Sequence, residues 1–133
     1  MVKNNATKNK KNERFFSGLK GEQIALNEFL KIGFKLVKNR YKNEYGEIDL
    51  IVEDEKNKII VFVEVKRRKN VYDYSSVISH KQWKRIFKSS EIFLYDNCDK
   101  YKNYNIRYDA IICFTNSKNI IHIENIFQND QDI

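Results

Sequence analysis

The 133-residue sequence predicts an α/β or α+β domain in which helices pack on one mixed five-stranded sheet, in the order αβββαββ. Three observations carry that prediction. Two segments, Glu13–Ile32 and His80–Tyr95, repeat apolar residues at helical spacing. Five short runs rich in β-branched and aromatic residues are bounded by Asn, Asp and Gly. Hydrophobic residues make up 41% and aromatics 14%, which supplies one real core and rules out wholesale disorder. No run approaches the roughly 18 apolar residues of a membrane helix. Nor does MVKNNATKNKK contain the apolar stretch of a secretory signal. Cys98 and Cys113 are too few for a disulfide scaffold, so reduced thiols and a cytoplasmic location are expected.

The formal charge of +7 is unevenly spread. Lys3, Lys8, Lys10, Lys11 and Arg14 against Glu13 give residues 1–14 a net +4, leaving only +3 for the body. A basic balance suits a polyanionic partner, and equally suits a chain that is simply rich in Lys and Asn. Residues 1–12 read as a flexible basic arm, 13–127 as the folded domain and 128–133 as a loose tail.

In the first helix Phe15, Leu19, Glu22, Leu26 and Phe29 fall on one stripe at steps of 4, 3, 4 and 3, and Gly33 supplies the left-handed stop. The stripe puts the Glu22 carboxylate on an otherwise apolar face, unless it reaches out to a helix edge. Gly18, Gly21 and Ala25 beside it permit a close approach by backbone or ligand. Phe34–Asn39 is a short strand and Tyr41–Gly46 a turn. Glu47–Glu53 and Lys58–Arg67 form an antiparallel hairpin across Asp54–Asn57. A polar, aromatic loop over 68–78 precedes the second helix, for which Ser75, Ser76 and Ser79 are cap candidates and Trp83, Ile86, Phe87 and Leu94 the apolar stripe. Residues 96–103 read as a loop. Ile106–Thr115 and Asn119–Asn125 close the sheet, turning at Asn116 and Ser117.

Strand alternation then locates the chemistry. Glu47 and Asp49 share one face of their strand, with Ile48 and Leu50 on the other. Glu64 and Lys66 share a face with Phe62, opposite Val61, Val63 and Val65. Two neighbouring strands thus carry Asp49, Glu64 and Lys66 toward one place, where Glu22 joins them if the first helix packs there. Charges inside apolar runs are costly unless paired or metal-bound. Two close carboxylates suit a hard divalent cation, and a Lys beside them suits hydrolysis of a phosphodiester. Alternation alone leaves a plain ion pair on an exposed strand equally open.

The pattern Glu22 … Asp49 … Glu64-Val65-Lys66 resembles the PD-(D/E)XK nuclease superfamily, with Ile48-Asp49 in place of the Pro-Asp element. The resemblance is closer still to the YraN family of small bacterial predicted endonucleases, related in fold to archaeal Holliday-junction resolvases. It rests on Gly18-Leu19-Lys20-Gly21-Glu22, Asn39-Arg40, Gly46-Glu47-Ile48-Asp49-Leu50-Ile51, Val61-Phe62-Val63-Glu64-Val65-Lys66-Arg67-Arg68, Lys81 and Arg107-Tyr108-Asp109. It implies a restriction-endonuclease-like core and a nuclease cutting DNA, branched or damaged forms included. Asp49, Glu64 and the Val65 carbonyl would be ligands of Mg²⁺ or Mn²⁺, Lys66 would orient the water, and Glu22 would complete the acidic cluster. RNA stays open as a partner, and cutting two strands symmetrically would call for a homodimer. The alternative is a catalytically silent module that binds nucleic acid on the same fold.

Around that centre, Arg40, Arg67, Arg68, Lys69 and Lys81 are candidates for phosphate contact. Glu47 reads as a rim contact, Arg107 and Asp109 as a structural ion pair. Tyr72 and Tyr74 could stack on bases or pack on a helix. His80 and His122 lack metal-ligand spacing, and His122 reads as the polar side of a strand. Neither cysteine has a partner for nucleophilic catalysis, and the four glycines form no phosphate-cradling loop.

Overall fold

The computed structural model describes residues 20–69, 78–115 and 119–126. The expectations for Phe15, Leu19, Gly18, Tyr72, Tyr74, Ser75, Ser76, Asn116, Ser117, the basic arm and the tail lie outside these residues. Helix α1 covers 20–31. It is followed by β1 (Lys35–Asn43), β2 (Gly46–Asp54), β3 (Ile59–Arg68), α2 (His80–Asp96), α3 (Cys98–Tyr101), β4 (Asn105–Phe114) and β5 (Ile120–Ile123). The strands lie side by side in chain order. Pairing is antiparallel for β1–β2, β2–β3 and β4–β5 and parallel for β3–β4. The parallel pair is the one whose connection holds α2 and α3, as a crossover requires. The result is an α/β fold, a mixed five-stranded sheet between helices, consistent with a restriction-endonuclease-like core. No helix among the described residues is long and apolar enough to cross a membrane.

Alternation along the central strands builds a core on each face. Ala25 and Phe29 of α1 pack with Phe34, Leu50, Val52, Val61, Val63, Ile111 and Cys113. Trp83, Ile86 and Phe93 of α2 pack with Ile48, Ile51, Ile60, Phe62, Tyr108 and Ala110. Helix α1 ends in a Schellman motif. Phe34 N–H donates to Phe29 O at 3.0 Å and Gly33 N–H to Leu30 O at 3.2 Å, with Gly33 at φ +93°. The Phe29 and Phe34 rings meet edge-on at 5.4 Å and seal the turn.

Several expectations are corrected. The first strand runs on to Asn43, so the turn is two residues, 44–45. Within 96–103 the chain forms the short helix α3, started by Asn97, whose backbone N–H and Nδ2 both donate to Phe93 O. On α2, Phe87 is 42% exposed, and the buried face is Trp83, Ile86, Ser89, Ser90 and Phe93. Hydropathy misses the two serines, which are buried because they are satisfied: Ser89 Oγ donates to Asn43 Oδ1 at 3.1 Å and Ser90 Oγ meets the Tyr108 hydroxyl at 2.6 Å.

The correction that matters most concerns β2. Ile48 and Leu50 do not share a face: Ile48 belongs to the α2 core and Leu50 to the α1 core. Their partners follow, since Tyr41 pairs with Ile48 and Asn39 with Leu50. The ribbon therefore rolls over between these pairs, at Arg40 and Asp49. Arg40 there has φ +51°, a left-handed conformation that a residue with a Cβ seldom adopts inside a strand.

Candidate active site

At the roll the sheet opens. The β2–β3 ladder ends at Leu50 and Val63, and Asp49 takes over the next backbone donor with its side chain. Val65 N–H donates to Asp49 Oδ2 at 2.8 Å. The strands diverge past that bond, leaving a cleft of about 480 Å³ lined by Glu22, Arg40, Gly46, Glu47, Asp49, Glu64, Gln82, Arg85 and Ile86. Its floor comes from β2 and β3, one wall from α1 and β1, and the other from α2.

Glu64 is buried at 6% exposure. Its Oε1 accepts from Gln82 Nε2 at 2.9 Å and faces Lys66 Nζ at 3.3 Å. Burial raises the Glu64 carboxyl to about 8, with the Asp49 charge adding to the rise and Lys66 opposing it. Burial likewise raises Asp49 to about 6; the Val65 N–H pulls the other way and the Glu22 and Glu47 charges push it up further. Two carboxylates are thus held in a setting that disfavours their own ionisation. A hard cation relieves that conflict, because it neutralises both charges without asking either to take a proton.

Whether the residues suit a metal is a question of donor chemistry. Among the described residues no three His, Cys, Asp or Glu side chains group tightly enough to hold an ion unaided. Mg²⁺ is ordinarily bound through one or two carboxylates together with water and substrate phosphate. The Asp49–Glu64 pair meets that requirement, whereas a closed all-protein cage would not be met.

The other anticipated residues are placed as follows. Glu22 lines the cleft, but its Oε2 accepts from Arg40 Nε at 3.0 Å. Val65 enters the site by its amide N–H. Arg67 turns to the opposite face, where its side chain packs 3.4 Å from where a Cβ on Gly21 would stand, and it lines a separate cavity of about 380 Å³ with Cys113 and Ile120. Arg68 donates from NH1 to the Arg67 carbonyl at 2.7 Å, and Lys69 and Lys81 are exposed. Glu47 stands at the cleft with Lys42 at 3.9 Å, in keeping with a rim contact.

Two cleft residues escaped the sequence reading. Gln82 is one position beyond Lys81, about 100° around the helix, and that step moves the side chain from solvent to Glu64. Arg85 lies one turn further on. Gln82, Arg85, Ile86 and Ser89 make a stripe at steps of 3, 1 and 3, a signal obscured by its polarity. The helix is capped just before Gln82: Ser79 Oγ accepts from Gln82 N–H at 3.1 Å.

The model of the uncharacterised protein family UPF0102 matches residues 21–113, which spans α1 through β4. The chain belongs to that family, which is the YraN family. A UPF0102 protein of Persephonella marina is 33% identical over 118 residues, covering 87% of this chain and 97% of its own length. One from Clostridioides difficile is 38% identical over 112 residues, covering 80% and 92%. One from Rhodopseudomonas palustris is 33% identical over 98 residues, covering 74% and 72%. The matched segment of this UPF0102 chain contains every residue that lines the cleft.

Proposed function

We propose that the cleft is the active site of a divalent-cation-dependent endonuclease that hydrolyses phosphodiester bonds in DNA, branched or damaged forms included. One observation carries the reading: the half-buried Asp49 and the buried Glu64 stand together in the cleft, both with raised pKa and with Lys66 beside them. Two acids whose ionisation is disfavoured, facing a cleft with a charged partner, have the features of a functional site.

Asp49 and Glu64, aided by the Val65 carbonyl, would hold Mg²⁺ or Mn²⁺. Such an ion supplies polarisation of a phosphoryl oxygen and a bound water of lowered pKa. Lys66 sits at the edge of the carboxylate pair, placed to orient the attacking water and to offset charge developing on phosphorus. Gln82 fixes the Glu64 carboxylate by its amide, so that the ligand oxygen keeps its direction. Arg85, with Lys81, Arg68 and Lys69 nearer the surface, would contact the phosphate backbone, which gives salt-dependent affinity without reading sequence. A homodimer would present two such clefts to a branched duplex, and RNA is a second substrate to be assayed.

Calorimetric titration of Mn²⁺ into the wild type and Asp49→Asn tests the reading at its base: one site is expected in the first and none in the second. Cleavage of single-stranded, duplex and branched DNA and of RNA then follows with either ion. Asp49→Ala and Lys66→Ala should abolish cutting while salt-sensitive binding survives. Binding indifferent to chelator, with no divalent site in the wild type, would instead establish a silent binding module.

A further inference from the structure

The wall of the cleft holds a contact that the nuclease reading does not call for. Glu22 is the acid that would complete the cluster, yet Arg40 Nε holds its Oε2 at 3.0 Å, with the Glu22 side chain only 14% exposed. Arg40 reaches it from a backbone at φ +51°, in a strand, a left-handed conformation that is unfavourable for a residue with a Cβ. That conformation coincides with the roll of the β1–β2 ribbon, between the Asn39–Leu50 and Tyr41–Ile48 pairs. The carboxylates of Glu22, Glu47 and Asp49 all act on the guanidinium, Glu22 most strongly. Strain kept at a cleft, beside an ion pair between two of its lining residues, points to a role for the pair.

Glu22 also has room to move. It lines the 480 Å³ cleft and, on its other side, a cavity of about 150 Å³ beside Gln23, Leu26, Asn39 and Leu50. A guanidinium binds a phosphodiester as readily as a carboxylate, with the same paired N–H geometry. A backbone phosphate arriving at the cleft is therefore a direct competitor of Glu22 for Arg40.

We infer that Arg40 is a latch on Glu22: at rest it withholds the Glu22 carboxylate from the Asp49–Glu64 pair, and a nucleic-acid phosphate that takes the guanidinium releases Glu22 toward the cation. The inference rests on the proposed cation site and adds an order to it, in which substrate completes the acidic cluster. Arg40 is then a positioning residue whose phosphate contact and Glu22 contact exclude one another.

A double-mutant cycle tests it without reference to cleavage. Mn²⁺ is titrated calorimetrically into the wild type, Arg40→Gln, Glu22→Gln and the double variant, each first checked for its fold by circular dichroism. Arg40→Gln should bind Mn²⁺ about tenfold more tightly, because a third carboxylate is freed, and the gain should vanish when Glu22 is also Gln. In EDTA, Glu22→Gln should tighten binding of a fluorescent single-stranded oligonucleotide severalfold, and only while Arg40 is present. Should Arg40→Gln fail to fold, Arg40→Gly, which adopts positive φ freely, takes its place. Mn²⁺ binding that ignores Arg40, or an equal gain with and without Glu22, overturns the latch alone. Absence of Mn²⁺ binding in all variants overturns the cation site and the latch together.

Discussion

Two of the places where the sheet holds acids could hardly be treated more differently. On the α1 face, Asp109 is fully buried at the parallel β3–β4 seam. Arg107 donates to it through Nε at 3.0 Å and NH2 at 2.9 Å, His122 Nε2 lies 2.7 Å away, and Asn125 N–H donates at 2.9 Å. Burial pushes Asp109 up, but these partners together outweigh it and leave the carboxyl below its ordinary range. On the other face, the buried Glu64 and the half-buried Asp49 receive fewer donors and sit beside each other, and both are pushed up. A saturated carboxylate is an anchor. An under-satisfied pair in a cleft is what the proposed cation site is built on. His122 is accordingly not the idle polar side of a strand: it ties β5 to Asp109 and meets the Phe29 ring edge-on at 5.0 Å.

The contrast is broken most forcefully at the anchor. Asp109→Ala leaves Arg107 without its buried counter-charge and should cost about 3–5 kcal/mol in urea unfolding, with Mn²⁺ affinity at the cleft unaltered in whatever fraction stays folded. Equal loss from Asp49→Ala would erase the distinction between the clusters.

A second test uses Gln82. Gln82→Ala removes the amide that orients Glu64 and should weaken Mn²⁺ binding by about 10- to 100-fold, with little effect on stability. Calorimetry reads the first and thermal melting the second.

The opposite pKa directions predict opposite pH slopes. Glu64 and Asp49 bind protons more tightly in the folded chain than in the unfolded one. Their contribution to metal-free stability is therefore full below the unfolded carboxylate values and is lost as pH rises through about 6 and about 8. Asp109 binds its proton less tightly when folded, so its contribution is present above the unfolded value and is lost as pH falls through the lowered one. Melting temperatures measured across pH in EDTA should decline toward pH 8 in the wild type, flatten in Glu64→Gln, and recover in the wild type on adding Mn²⁺.

The smallest expected effect lies in the helix that carries Gln82. Ser79→Ala removes the cap and should cost about 1 kcal/mol in unfolding while only slightly weakening Mn²⁺. A large loss of metal affinity would mean that the cap, rather than packing of Trp83 and Ile86, sets the helix phase.

Much of this architecture is legible in the amino-acid order because it follows from covalent geometry. The period of two along Phe62, Glu64 and Lys66 and the helical stripe through Glu22, Leu26 and Phe29 assign those residues to faces before any packing is known, although Ala25, read as lying beside the stripe, is buried and Leu26 only partly so. Gly33 stops a helix for reasons internal to its backbone. The family resemblance adds Asp49 by its spacing to Glu64-Val65-Lys66. What periodicity misses are polar side chains buried or half-buried by virtue of a distant partner: Ser89 on Asn43, Ser90 on Tyr108, His122 on Asp109, Gln82 on Glu64. Such partners come from distant elements, and no local pattern names them.

The order of residues thus determined which side chains share a face of β3, where α1 ends, and that two acids and a lysine would come to one place. Only the tertiary structure decided that the β1–β2 ribbon rolls at Arg40 and Asp49, that Asp49 spends one oxygen on Val65 N–H, and that Arg40 occupies Glu22. The reason is that side-chain direction within a strand is dictated by the chain itself. A left-handed φ at an arginine, and the choice of counter-ion among several within reach, are settled by the sum of contacts from α1, β2 and the cleft that surround it.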